Sequence, residues 1–67
     1  MYKFKSRLKK EFIGNNKIKN ISKEIGITDC FLSSILNGKR NCSKLVAKCL
    51  TLLLNQQNIE DFFEEIN

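Results

Sequence analysis

Ile18-Lys-Asn-Ile-Ser-Lys-Glu-Ile-Gly-Ile-Thr-Asp-Cys-Phe-Leu-Ser-Ser-Ile-Leu-Asn-Gly38 is the stretch on which the fold turns. In its first part Ile18, Ile21 and Ile25 recur at i, i+3 and i+7, a spacing that puts them on one face of a short helix ending at Gly26. Gly26-Ile27-Thr28 reads as a tight connection: the glycine can take positive φ after the helix, Ile27 turns inward, and Thr28 caps the helix that follows. The following helix spans Asp29 to Leu36. With about 100° of rotation per residue, Phe31, Leu32, Ile35 and Leu36 share one half of it, and Asp29, Cys30, Ser33 and Ser34 share the other. Asn37-Gly38 closes it with the two residue types that best tolerate left-handed backbone. Two short helices joined by a tight turn make a helix-turn-helix.

On the N-terminal side, Phe4, Leu8 and Phe12 fall at i, i+4 and i+8 and predict a first helix over residues 3–13, stopped by Gly14. Asn15-Asn16 is positioned to cap the helix over 18–25. On the C-terminal side Lys39-Arg40 lies in an exposed loop, and Ser43 is the expected N-cap of a fourth helix over residues 43–54. Its Leu45, Val46, Cys49, Leu50, Leu52, Leu53 and Leu54 cover an arc well beyond the roughly 100° stripe of a helix packed on one core. Some of that leucine surface needs another partner. A last helix is expected over residues 58–66, opened by a capping box at Asn58-x-x-Asp61 and carrying Ile59, Phe62, Phe63 and Ile66. It either folds back over the leucines or presents an apolar ridge to a second subunit. The expected fold class is all-α: one compact domain of four to five helices around the helix-turn-helix.

A chain of 67 residues buries roughly 60% of the surface its unfolded state exposes, so it is marginal unless it dimerises. The candidate dimer surface is Leu50, Leu54, Ile59, Phe62, Phe63 and Ile66. The longest apolar run, Leu52 to Leu54, is far short of the about 20 residues of a membrane span, and the first residues lack the apolar core of a secretion signal. A cytoplasmic protein with no membrane partner is expected. Cys30, Cys42 and Cys49 are odd in number and form no disulfide framework. With no histidine, a zinc site would need all three cysteines plus a carboxylate or an outside ligand, and small semi-apolar filling is the simpler reading. No metal or cofactor is expected. Catalysis is disfavoured because there are no paired inward carboxylates, no glycine-rich phosphate loop and no cysteine partnered by a base.

Charge is unevenly spread. The net charge is +5, yet residues 1–48 hold all 12 basic residues against Glu11, Glu24 and Asp29, a net of +9. Residues 49–67 hold Glu60, Asp61, Glu64 and Glu65 and no base, a net of −4. A basic body with an acidic end is the footprint of a surface that meets a polyanion. The abundance of lysine, asparagine and isoleucine is also what an AT-rich genome produces.

The run from Ile21 to Arg40 resembles the helix-turn-helix of the lambda-repressor-like superfamily, with phage repressors and Cro-type regulators among its members. The matching positions are Ile21, Ser22, Ile25, Gly26, Ile27 and Thr28, then Leu32, Ile35 and Leu36 before Asn37-Gly38. Residues 18–28 also look like the headpiece of the lac-repressor family, but the helix before residue 14 favours the phage-repressor branch. The resemblance implies double-stranded DNA as partner, with Asp29, Cys30, Ser33 and Ser34 facing bases. It assigns Lys17, Lys19, Asn37, Lys39 and Arg40 to phosphate, and Lys44 at the start of the fourth helix extends that basic set. Many relatives have glutamine at the first position of the second helix, where this chain has Ile18. The reading face contains no Arg, Lys, Gln or Asn, the residues that make bidentate base contacts. Asp29 serves either as an acceptor for a cytosine amine or as a favourable anion at a helix N-terminus. The expected function is therefore a homodimeric regulator, a repressor that occupies a short operator or touches RNA polymerase. The alternative is a phage- or plasmid-encoded inhibitor or antitoxin-like module that turns the same fold toward a host protein.

Overall fold

In a computed structural model describing residues 1–54 and 58–66, the chain order is β1 (Tyr2–Phe4), a 3-10 turn (Ser6–Leu8), α1 (Lys9–Ile13), α2 (Ile18–Ile25), α3 (Asp29–Leu36), α4 (Lys44–Leu53), a 3-10 turn (Ile59–Asp61) and β2 (Phe63–Glu65). The molecule is mostly helical but not all-α, because its two ends pair as antiparallel strands. The helices over 18–25, 29–36 and 44–53 fall where periodicity and capping place them.

The helices expected over 3–13 and 58–66 do not form as such. Tyr2 stands opposite Glu65, Lys3 opposite Glu64 and Phe4 opposite Phe63. On the other side of β1 the Tyr2 N–H donates to the Cys42 carbonyl at 2.7 Å, and the Cys42 N–H returns the bond at 2.8 Å. Tyr2 and Phe4 point inward and Lys3 outward, the alternation of a half-buried strand. The spacing of Phe4, Leu8 and Phe12 misleads because every gap is four residues: an even gap also keeps one face of a strand, and only Phe12 lies within an α-helix. The Asn58-x-x-Asp61 box is not made either; Asn58 precedes the turn with no side-chain cap.

What the ends cover is an aromatic cluster. Phe4 packs on Phe12 and Phe63 with ring centroids 5.0 and 5.2 Å apart, and Phe12 packs on Phe62 at 4.9 Å and Phe63 at 5.8 Å. All four contacts are tilted or edge-on, the arrangement the ring quadrupoles favour. Leu32, Ile35 and Leu36 from α3 and Ala47 and Leu50 from α4 complete the core with Ile21 of α2.

This burial corrects the expected dimer surface. Leu50, Leu54, Phe62 and Phe63 are buried within one chain, so their apolar area is spent on its own core, and Ile59 and Ile66 are half-buried. The apolar residues of α4 left in solvent are instead Leu45, Leu52 and Leu53.

Candidate nucleic-acid interface

The geometry of the motif begins with its caps. Gly26 takes the left-handed conformation (φ 79°, ψ 31°), and the N–H groups of Gly26 and Ile27 both donate to the Ser22 carbonyl at 2.9 and 3.0 Å. The chain thereby leaves α2 and enters α3 within three residues. Thr28 then accepts from the Phe31 N–H through its hydroxyl at 3.1 Å. A further tie crosses the turn: the buried Ser22 hydroxyl donates to the Asp29 carboxylate. α2 and α3 are thus tied by the Ser22–Asp29 bond, and Ile21 and Leu32 are buried in the same core.

α3 buries Leu32, Ile35 and Leu36 and turns its small side outward. Asp29 and Cys30 are exposed, and Ser33 and Ser34 are half-buried. Four small side chains leave the helix backbone close to anything that approaches it, which is the requirement for entering a major groove about 12 Å wide. One oxygen of the exposed Asp29 carboxylate accepts from Ser22, which ties the side chain to the turn and leaves its other oxygen to solvent. Asp29 also fits its second expected role: it is the acidic residue in the first turn of α3, where the helix dipole favours negative charge.

Exposed basic residues precede and follow α3 in the chain. Lys17 and Lys19, both exposed, open α2, which starts with no side-chain cap and no acidic residue in its first turn. Its leading N–H groups therefore add to the positive field of the two lysines. The Asn15-Asn16 cap expected there is absent. Asn16 instead donates its side-chain amide to the Ile13 carbonyl at 3.0 Å, closing α1.

At the far end of α3, Lys39 and Arg40 are exposed, and the Arg40 guanidinium lies over the Phe31 ring at 5.5 Å. Both backbone N–H groups donate to the Ser34 carbonyl, at 2.9 and 3.2 Å, which fixes the loop against the helix. Asn37 is exposed and engaged at both ends of its amide. Its Oδ1 accepts from Lys9 Nζ at 3.0 Å, and its Nδ2 donates to Ser33 Oγ at 3.3 Å.

Lys9 is the member of this cluster that sequence reading misses. It comes from α1, 28 residues away, and no local pattern marks it. Gly38 takes φ 75°, which favours glycine, and lies beside Ser6: a Cβ built there would make ordinary contact with it at 3.5 Å. The N-terminal segment thus meets the loop after α3, and the ammonium of Lys9 lies at the C-terminal end of that helix, on Asn37.

Lys44 belongs elsewhere. It lines a cleft of about 210 Å³ with Lys48, Thr51, Leu52, Asn58, Ile59 and Glu60, none of which is on α2 or α3. Among the described residues no cluster of His, Cys, Asp or Glu is placed to hold a metal ion, and no helix is long and apolar enough to cross a membrane. Cys30 is exposed and Cys49 half-buried, while burial pushes the Cys42 thiol above its ordinary value, an effect the Met1 ammonium partly offsets.

No protein-family model, curated protein or solved structure matches this chain.

Proposed function

We propose that this protein is a helix-turn-helix DNA-binding regulator that represses transcription by occupying a short operator as a homodimer. The observation that carries the reading is the outward side of α3: four small side chains, Asp29 and Cys30 exposed and Ser33 and Ser34 half-buried, with exposed Lys17 and Lys19 before it in the chain and exposed Lys39 and Arg40 after it. Small side chains permit close approach, and the cations meet the phosphates on either side of a groove. In a two-fold dimer the two copies of α3 would enter successive major grooves about 34 Å apart.

Fluorescence anisotropy of a labelled duplex against salt tests it. If each subunit neutralises three or four phosphates, log K falls against log salt with a slope near −3 per subunit. No binding at low salt, or a slope near zero, sinks the reading.

One observation favours a second reading, a protein-binding inhibitor or antitoxin-like module on the same fold. Asn37, the side chain best suited to a bidentate base contact, already spends both ends of its amide on Lys9 and Ser33. Selection of bound fragments from genomic DNA separates the two. An enriched palindrome supports the regulator, and uniform recovery of fragments supports the inhibitor.

A further inference from the structure

Asn37 links a residue of α1 to a residue of α3. Its Oδ1 accepts from Lys9 Nζ at 3.0 Å, and its Nδ2 donates to Ser33 Oγ at 3.3 Å. Lys9 sets the order of these two bonds, because an ammonium has three donors and no lone pair. The amide can turn only its oxygen to Lys9, so its NH2 is what remains for Ser33. Lys9 is half-buried, and Ser6 lies beside Gly38, so the segment that carries Lys9 meets this end of α3 at two adjacent residues.

Ser33 stands four residues before Asn37, in the outward half of α3 with Asp29, Cys30 and Ser34. A serine hydroxyl has one proton and two lone pairs. Here one lone pair takes the Asn37 amide, and the proton has no partner among the described residues. The buried hydroxyls of the neighbouring helices differ: Thr51 donates to the Ala47 carbonyl at 2.8 Å, and Ser22 donates to Asp29. Accepting one bond also polarises a hydroxyl and strengthens the bond it gives.

We infer that Lys9, acting through Asn37, makes Ser33 a hydrogen-bond donor to DNA. Its complement is an acceptor atom: N7 or O6 of guanine, N7 of adenine, O4 of thymine, or a phosphate oxygen. Serine by itself has no such preference, since it pairs with donors and acceptors alike. With the amide reversed, the Asn37 oxygen would take the Ser33 proton and leave only lone pairs outward, which suit the amines of cytosine and adenine. Lys9 and Asn37 are thus positioning residues, and Ser33 alone touches the ligand. That the ligand is DNA rests on the operator-binding reading; the order of the relay does not.

Nuclear magnetic resonance of the free full-length chain tests the relay. The Asn37 side-chain NH2 should show an Overhauser contact to the Ser33 β protons. K9R should keep it, because a guanidinium also only donates. K9M should weaken it, because nothing then fixes the amide.

A double-mutant cycle tests the donor. The probes are a pool of random-sequence duplexes at low salt and the duplex that the parent enriches from that pool. S33A should weaken binding about three- to tenfold, the worth of one hydrogen bond, in the parent and in K9R. In N37D the carboxylate accepts the Ser33 proton, so S33A should there cost nothing further, and the cycle cancels the effect of the added negative charge. A loss confined to the enriched duplex puts the acceptor on a base, and an equal loss on the pool puts it on phosphate.

An S33A penalty as large in N37D as in the parent, no penalty in the parent, or an Overhauser contact unchanged in K9M overturns the inference while the parent still binds duplex. A parent that binds neither probe, with the Overhauser contact present and lost in K9M, overturns the operator reading and the DNA ligand with it, and leaves the order of the relay standing.

Discussion

The helix-turn-helix and the terminal clasp reach their structures by opposite routes. α2, its turn and α3 are made by neighbours. The Gly26 turn, the Thr28 cap and the Ser22–Asp29 bond all link residues within seven positions of one another. β1 and β2 are made by strangers, with Tyr2 pairing Glu65 and Phe4 pairing Phe63 across nearly the whole chain. A local motif is specified by caps and periodicity. A clasp is specified by what it covers, here the Phe12 ring beneath both ends.

The comparison breaks most sharply at Phe4. Phe4→Ala removes a buried ring that touches two others, and core truncations of that kind cost about 3–5 kcal/mol. A domain of this length holds roughly 0.05–0.15 kcal/mol per residue in total. Urea titration followed by circular dichroism should therefore find the chain largely unfolded at 25 °C, its helices included. Helices that persist with only the clasp lost would show the motif to be an independent unit.

Thr28→Ala strikes the local route and should cost about 1 kcal/mol, the worth of an N-cap, as a shifted urea midpoint with unchanged slope. A loss as large as that from Phe4→Ala would mean that the turn, not the core, holds the helices together.

Arg40→Ala should leave the fold intact and make the salt slope of duplex binding shallower by about one. An unchanged slope removes Arg40 from the phosphate set.

The smallest effect is expected at Cys42, where β1 meets the loop before α4. Its thiol is raised above 9.0 by burial in the folded chain, so as pH climbs the unfolded chain loses that proton first. Stability contributed by Cys42 is complete below the unfolded value and is lost as pH rises through the folded one. Urea midpoints should fall more steeply above pH 9 in the parent than in C42A. Parallel curves would show that the thiol contributes nothing.

What was legible in the sequence follows the same division. Ile18, Ile21 and Ile25, the Gly26 turn, Thr28 and Ser43 gave helix positions and caps correctly because each signal acts within one turn of helix. Residues 3–4 and 63–65 were read as helix because a three-residue strand carries almost no periodicity, and its partner lies outside any local window.

The candidate site divides likewise. The outward position of Asp29, Cys30, Ser33 and Ser34 on α3 was legible from register, and Lys17, Lys19, Lys39 and Arg40 entered through the resemblance, whereas Lys9 reaches Asn37 only through the fold. The surplus leucine of α4 was legible as a quantity. Which leucines it comprised depended on the clasp, because the covering elements hide Leu50 and Leu54 and leave Leu45 and Leu52 in solvent.

The pairing of Met1 with Ile66, where the Ile66 N–H donates to the Met1 carbonyl at 2.8 Å, has a consequence for biosynthesis. A nascent chain can curl α2 and α3 as soon as they clear the ribosome. It cannot close over Phe4 and Phe12 until residues 62–65 have emerged as well. Translation halted after α4 would therefore release a polypeptide with every residue of the candidate interface but without Phe62 and Phe63 to cover the aromatic cluster, a substrate for proteolysis.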